Sequence, residues 1–145
     1  MKNISLLLLA FLVISSAVFG GCAYITGEAI EITPPSLPTV NNITPEEANN
    51  LGMLNSLFTR FVDVRTPGEY AGGHIDNAIN IDYNASDFKE IINELDKNNG
   101  YIVYCQGGGR SAAASKVMAE LGFKHINNMT GGILAWEAAG LPVEK

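Results

Sequence analysis

Cysteine is scarce in this sequence: Cys22 and Cys105 are the only two in 145 residues. Two cysteines could pair in a secreted chain, but Cys22 has an explanation of its own at the end of an apolar leader. A disulfide scaffold is therefore excluded, and stability must come from a packed core. Basic residues are also few, 9 Lys and Arg against 15 Asp and Glu, for a net charge of -6. They are scattered along the chain, whereas phosphate-backbone binding needs them clustered, so nucleic acid is not an expected partner. Two histidines with no matching Cys/His spacing give no zinc site. No internal repeat is present. What remains is a chain of single-domain length with 47% hydrophobic residues, part of which belongs to the leader.

Residues 1–26 form that leader. Lys2 precedes an uncharged stretch from Asn3 to Gly27, with an apolar heart from Ile4 to Phe19 and small residues at Gly20 and Gly21. One positive charge, an apolar run and small residues have the pattern of a secretory signal. Phe19-Gly20-Gly21-Cys22 also resembles a lipoprotein signal, in which the cysteine carries the lipid, although such signals usually hold Leu where Phe19 stands. A run of this length can equally span a bilayer uncut. Lipid anchor on Cys22, uncleaved membrane anchor and cleaved signal stay open, and all three place the rest of the chain outside the cytoplasm. Residues 27–42 carry three prolines and little periodicity, which predicts an extended linker.

The domain is expected over residues 43–145. Thr44-Pro45-Glu46-Glu47 predicts a capped helix start. Strands are expected at Arg60–Val64, Ala78–Ile81, Tyr101–Tyr104 and His125–Asn127. Helices are expected over a short turn at Thr66–Ala71, from Ser86 to about Lys97 with Phe88, Ile91, Ile92 and Leu95 on one face, from Arg110 to Leu121, and from Ile133 to Ala139. Strands alternating with helices imply an α/β domain around a mainly parallel sheet.

Cys105-Gln106-Gly107-Gly108-Gly109-Arg110-Ser111 carries the chemistry. It lies where a buried strand gives way to a helix, the usual place for a site in an open α/β sheet. Three glycines let the backbone curl with its N–H groups inward as an anion nest, and the following helix adds the positive end of its dipole. A cysteine at the base of such a nest is expected to be largely thiolate. Arg110 adds a fixed positive charge for an anionic substrate, and Ser111 can donate from the first helical turn. A lone buried cysteine or a glycine run is by itself unremarkable; the order strand, Cys, glycines, Arg, helix is not.

These residues resemble the active-site loop of the rhodanese family, Cys-x-x-Gly-x-Arg-Ser, matched by Cys105, Gly108, Arg110 and Ser111. Asp63-Val64-Arg65 with Glu69-Tyr70 and Gly73-His74-Ile75 resembles the family's upstream segment. Gly131-Gly132-Ile133, Trp136 and Gly140-Leu141-Pro142 resemble its closing one. The resemblance runs from about Ile43 to Val143, with Asp76-Asn77 departing from a usual Pro-Gly turn. It implies a three-layer rhodanese-like fold and a single-domain sulfurtransferase. Cys105 would take a sulfane sulfur from a donor such as thiosulfate as a persulfide and pass it to a thiol or to cyanide. No metal or organic cofactor is implied, and the protein is expected to act as a monomer held at a membrane by its N-terminus.

Other residues carry less. Asp63 and Arg65 lie at a strand end that should border the site, with Arg65 and Glu69 read as a structural ion pair. His74 is read as structural and Trp136 as core. Two rivals remain. A non-catalytic sulfur carrier or docking module would share the loop without turning over. A cysteine phosphatase or arsenate reductase would place five residues between Cys and Arg, where this chain has four.

Overall fold

The computed structural model describes residues 38–145; the leader, Cys22 and most of the expected linker lie outside the described residues. Ten elements follow in order: β1 (Val40–Ile43), α1 (Pro45–Leu54), β2 (Thr59–Asp63), α2 (Pro67–Ala71), β3 (Ile79–Asn80), α3 (Phe88–Asn93), β4 (Gly100–Tyr104), α4 (Gly109–Glu120), β5 (His125–Met129) and α5 (Gly132–Ala138). The sheet has the order β1-β5-β4-β2-β3, and every pairing is parallel. All strand C-termini therefore meet at one end, where the loops after β2 and β4 converge.

Helices cover both faces of this sheet, which is why β4 reads as an unbroken apolar run. Alternation along the strand sends Tyr101, Val103 and Cys105 toward Phe88 and Ile92 of α3 and Ala114 and Met118 of α4. Ile102 and Tyr104 go to the other face, among Ala48 of α1 and Ile133 and Trp136 of α5. Cys105 thus inherits its side of the sheet from the register of the strand before it. The expected three-layer α/β architecture is what the chain forms.

Two short sequences start helices in the same way. Thr44 Oγ1 accepts from the Glu47 N–H at 3.3 Å while Glu47 accepts from the Thr44 N–H at 2.8 Å. Thr66 and Glu69 repeat this at 3.3 and 3.0 Å. Each is a reciprocal cap with proline at the first helical position, where a missing N–H costs nothing.

Three elements differ from expectation by more than one residue at an end. Val40–Ile43, mostly assigned to the linker, forms the edge strand β1 beside β5. Its VNNI pattern hides it: only Val40 and Ile43 pack inward, and Asn41 and Asn42 bond across to Asn127 and Asn128. Helix α3 is six residues rather than about twelve, beginning after Asp87 with no side-chain cap from Ser86 or Asp87. So short a helix buries Phe88 and Ile92 and leaves Ile91 43% exposed. β5 runs two residues past Asn127, because Asn128 and Met129 keep pairing with β1.

Asp76-Asn77, the departure from Pro-Gly, makes a turn closed by the Ala78 N–H on the Ile75 carbonyl at 3.1 Å. Asn77 has φ 57°, a left-handed conformation in which Asn is the best tolerated residue after Gly. Backbone shape is kept by a different residue type.

Replacing Ile102, fully buried in the central strand, tests the two-faced core. Ile102→Ala should cost about 2–5 kcal/mol, read as a lower urea midpoint at unchanged m-value.

Candidate active site

Cys105 follows directly on β4, and its carbonyl decides how the next residues run. That carbonyl accepts from the Ile133 N–H at 2.8 Å, and the Gln106 carbonyl accepts from the Leu134 N–H at 3.2 Å. Both donors belong to the first turn of α5, whose N–H groups have no partner within the helix. With these two carbonyls held outward, the loop amides that follow turn inward over the sulfur. So close an approach leaves no room for a side chain: a Cβ on Gly132, at φ +58°, would lie 2.3 Å from the Cys105 oxygen. Gly108, at φ +100°, makes the turn into α4.

The sulfur sits under this turn, with the Gly108 N–H 3.1 Å from Sγ. Burial alone would raise the thiol's pKa, since Cys105 is 1% exposed. The N–H and hydroxyl of Ser111, with the N–H groups of Gly108 and Gly107, outweigh burial and bring it below the ordinary cysteine value. Ser111 Oγ rests on the Gly108 carbonyl at 3.1 Å; its single proton can turn to the sulfur once that is charged. Gly107 and Gly109 are exposed, so the cradle opens to solvent through its backbone.

Arg110 is not left free. Its guanidinium grips Glu69 with Nη2 to Oε1 at 2.6 Å and Nη1 to Oε2 at 2.9 Å. This joins the first turn of α4 to the first turn of α2 across the loop. Glu69, with Arg110 as the main cause, has its pKa lowered to about 2.

Arg65, expected to pair with Glu69, pairs instead with Asp63, Nη2 to Oδ2 at 2.6 Å. The reason is local. Asp63 and Arg65 lie on the same side of the chain two residues apart, Asp63 is fully buried, and an isolated buried carboxylate is costly. The same guanidinium donates to the Gly73 carbonyl at 2.7 Å and reaches Gln106 Oε1 at 3.4 Å. It therefore ties the end of β2 to the turn after α2 and to the cysteine loop. Asn80 Nδ2 completes this tie by donating to the carbonyls of Asp63 and Arg65 at 3.0 and 2.9 Å, a role the sequence did not suggest.

The remaining candidates sort by position. His74 stacks on Tyr70 with centroids 3.8 Å apart, its Nδ1 lies 3.1 Å from the Tyr70 carbonyl, and its backbone pairs with Glu144. Trp136 is 2% exposed and donates to the Pro142 carbonyl at 2.9 Å. Both are structural. His125 begins β5, at the far end of the sheet from Cys105. A cleft of about 500 Å³ lined by Met53, Arg60, Phe61 and Trp136 is also at that far end. What the loop after β4 encloses is a covered sulfur under a backbone turn.

Residues 44–139 match the family model of the Rhodanese-like domain. The chain belongs to the rhodanese family. It is 34% identical over 95 residues to the chloroplastic thiosulfate sulfurtransferase 16 of Arabidopsis thaliana, covering 59% of this chain and 79% of that one. A sulfurtransferase of Allochromatium vinosum is 34% identical over 82 residues, 57% of this chain and 75% of that one. Among solved structures, a rhodanese-like domain protein from Staphylococcus aureus superposes with a TM-score of 0.61 at 34% identity, covering 73% of this chain and all of the other. The rhodanese-like fold, a five-stranded parallel sheet between helices, is thereby established together with membership of a sulfurtransferase family.

Two measurements check the site. Since the thiolate is the reacting form, the pH profile of Cys105 alkylation by iodoacetamide should have its midpoint below the free-cysteine value of about 8.5, and Ser111→Ala should move it upward. A midpoint unmoved by that change would remove Ser111 from the cradle. Glu69 is held below its ordinary pKa, so the Arg110 pair stabilises the fold above about pH 4.5 and is lost as pH falls toward about 2. Urea unfolding against pH should show that slope in the wild type and a flatter one in Glu69→Gln. Partial exposure of both side chains limits the difference to about 1 kcal/mol.

Proposed function

We propose that this rhodanese is a sulfurtransferase that carries a sulfane sulfur on Cys105. The observation that carries this reading is the amide contact on a buried sulfur: Gly108 N–H at 3.1 Å from Sγ, in a ring with four residues between Cys105 and Arg110. Donors placed to hold a thiolate can equally hold the persulfide anion one atom further out, so both states of a two-step cycle are stabilised by one backbone turn.

In the first step the Cys105 thiolate attacks the outer sulfur of thiosulfate. The new S–S bond forms as the bond to the sulfonate sulfur breaks, and the electron pair leaves with sulfite. In the second, cyanide or a thiolate attacks the terminal sulfur and the Cys105 thiolate is returned. No proton acceptor is needed at the sulfur, which agrees with the structural use of His74. Gln106, Gly107, Gly108, Gly109 and Ser111 line the cradle, and Arg110 screens the incoming anion while Glu69 positions it. Asp63 and Arg65 act behind the loop by fixing its position against β2.

The leader places this activity outside the cytoplasm, through a lipid on Cys22, an uncut apolar helix or a cleaved signal, with the domain working as a monomer. The sequence of residues 2–22 supports this placement.

Mass spectrometry of the full chain after thiosulfate treatment should show Cys105 heavier by one sulfur, and Cys105→Ser should take up none while keeping its folding transition. With thiosulfate in excess, more than one equivalent of thiocyanate per Cys105 on adding cyanide marks an enzyme, and a single equivalent marks a carrier that loads once. A relative in Arabidopsis thaliana, Protein HIGH ARSENIC CONTENT 1, is 30% identical over 129 residues, so arsenate and an aryl phosphate belong in the same assay. Turnover of either without persulfide formation would replace the sulfur-transfer reading.

A further inference from the structure

Four large apolar side chains crowd the end of α1 and the turn after it: Met53, Leu54, Leu57 and Phe58, between 66% and 84% exposed. Single exposed apolar residues are ordinary, but a contiguous group on a small domain marks a contact surface. No charged residue occurs from Ala48 to Thr59. The turn itself is well formed, with the Phe58 and Thr59 N–H groups both on the Asn55 carbonyl at 2.9 and 2.8 Å. These side chains are therefore held outward by an ordered backbone.

Topology says where this surface faces. β1 and β2 are parallel strands of one sheet, and α1 carries the chain back from the end of β1 to the start of β2. The patch thus lies at the end of the sheet where the strands begin. The chain enters the domain at that same end, at Val40, coming from the apolar leader through the residues after Gly21. Cys105, at the C-terminal end of β4, is on the opposite side, with a five-residue strand of about 16 Å between the two levels.

We propose that the Met53-Leu54-Leu57-Phe58 surface docks on the lipid bilayer that holds the N-terminus, turning the Cys105 loop away from the membrane toward solvent. The inference rests on the anchored reading above. Its occupant is a lipid surface because the chain that enters beside the patch is the one ending in a 16-residue apolar run, Ile4 to Phe19. The intervening residues from Gly20 to Thr39 can extend at most about 70 Å. The tether keeps the patch at a high effective concentration over the membrane, where a weak apolar contact is enough.

The test uses the full chain reconstituted in phosphatidylcholine vesicles, some with lipids brominated in the acyl chain. Native Trp136 is the sole tryptophan, buried in the core, and supplies the background signal. Phe58→Trp places a reporter in the patch, and Leu134→Trp places one on the exposed α5 surface beside the cysteine loop. Docking to a depth of about 5–10 Å predicts quenching of the added emission by about half or more for Phe58→Trp and essentially none for Leu134→Trp. Equal, weak quenching of the two in vesicles that still float with the protein would overturn docking and leave the anchor standing. Failure to float would remove anchor and docking together. A blue shift of Phe58→Trp that grows with protein density, without bromolipid quenching, would assign the surface to a second copy of the chain and also overturn the proposal.

Discussion

Two hydrogen bonds from the start of α5 to the carbonyls of Cys105 and Gln106 organise the whole site. A peptide that turns one way with its carbonyl must turn the other way with its amide. Once those oxygens are spoken for, the following N–H groups face the sulfur, and the acidity of the thiol follows from geometry. The arrangement joins residues more than twenty-five apart in sequence. It explains why Gly131 and Gly132 accompany a cysteine loop they do not belong to: at Gly132 even a methyl group would overlap the loop backbone.

Electrostatics then divides the two arginines. Arg65, almost wholly enclosed beside Asp63, serves as an internal brace, because its charge is neutralised and its donors end on backbone and Gln106. Arg110, partly exposed and held by Glu69, keeps its charge near the mouth of the loop. A buried pair is strongly damaging to break from one side only, whereas a half-exposed pair is opened at small cost. The same residue type therefore braces the strand end behind the sulfur in one case and joins two helix starts across the loop in the other.

Most of the domain could be read from the sequence where local pattern and burial agree. The unbroken apolar run of β4, the glycine turn into α4 and the Thr-Pro-Glu-Glu start of α1 each carry their own physical instruction. Thr66-Pro67-Gly68-Glu69 spells the same cap as Thr44-Pro45-Glu46-Glu47, and the Glu it commits to α2 is the one that holds Arg110; that repetition was the available signal for the Arg110–Glu69 pair. Strand β1 was illegible for the opposite reason. Its stability comes from pairing with β5 and from asparagines bonding across the ladder, neither of which leaves a period-two apolar trace. The Arg65–Asp63 pair needed knowledge of depth, since only full burial of Asp63 makes the neighbouring cation indispensable. Asn80, bonding two backbone carbonyls behind the loop, has no sequence signature at all.

The edge position of β1 has a practical side. Val40 and Ile43 are the residues of β1 that reach inward, and both are partly covered where β1 lies along β5. Any processed form of the chain that begins after Val40 would leave β5 as a bare border, offering its unpaired amides and the flank of Ile126 and Met129 to other molecules. The asparagines now on the outside act as a polar hem that discourages such sheet-to-sheet joining. Where the chain is trimmed thus decides whether the domain stays dispersed.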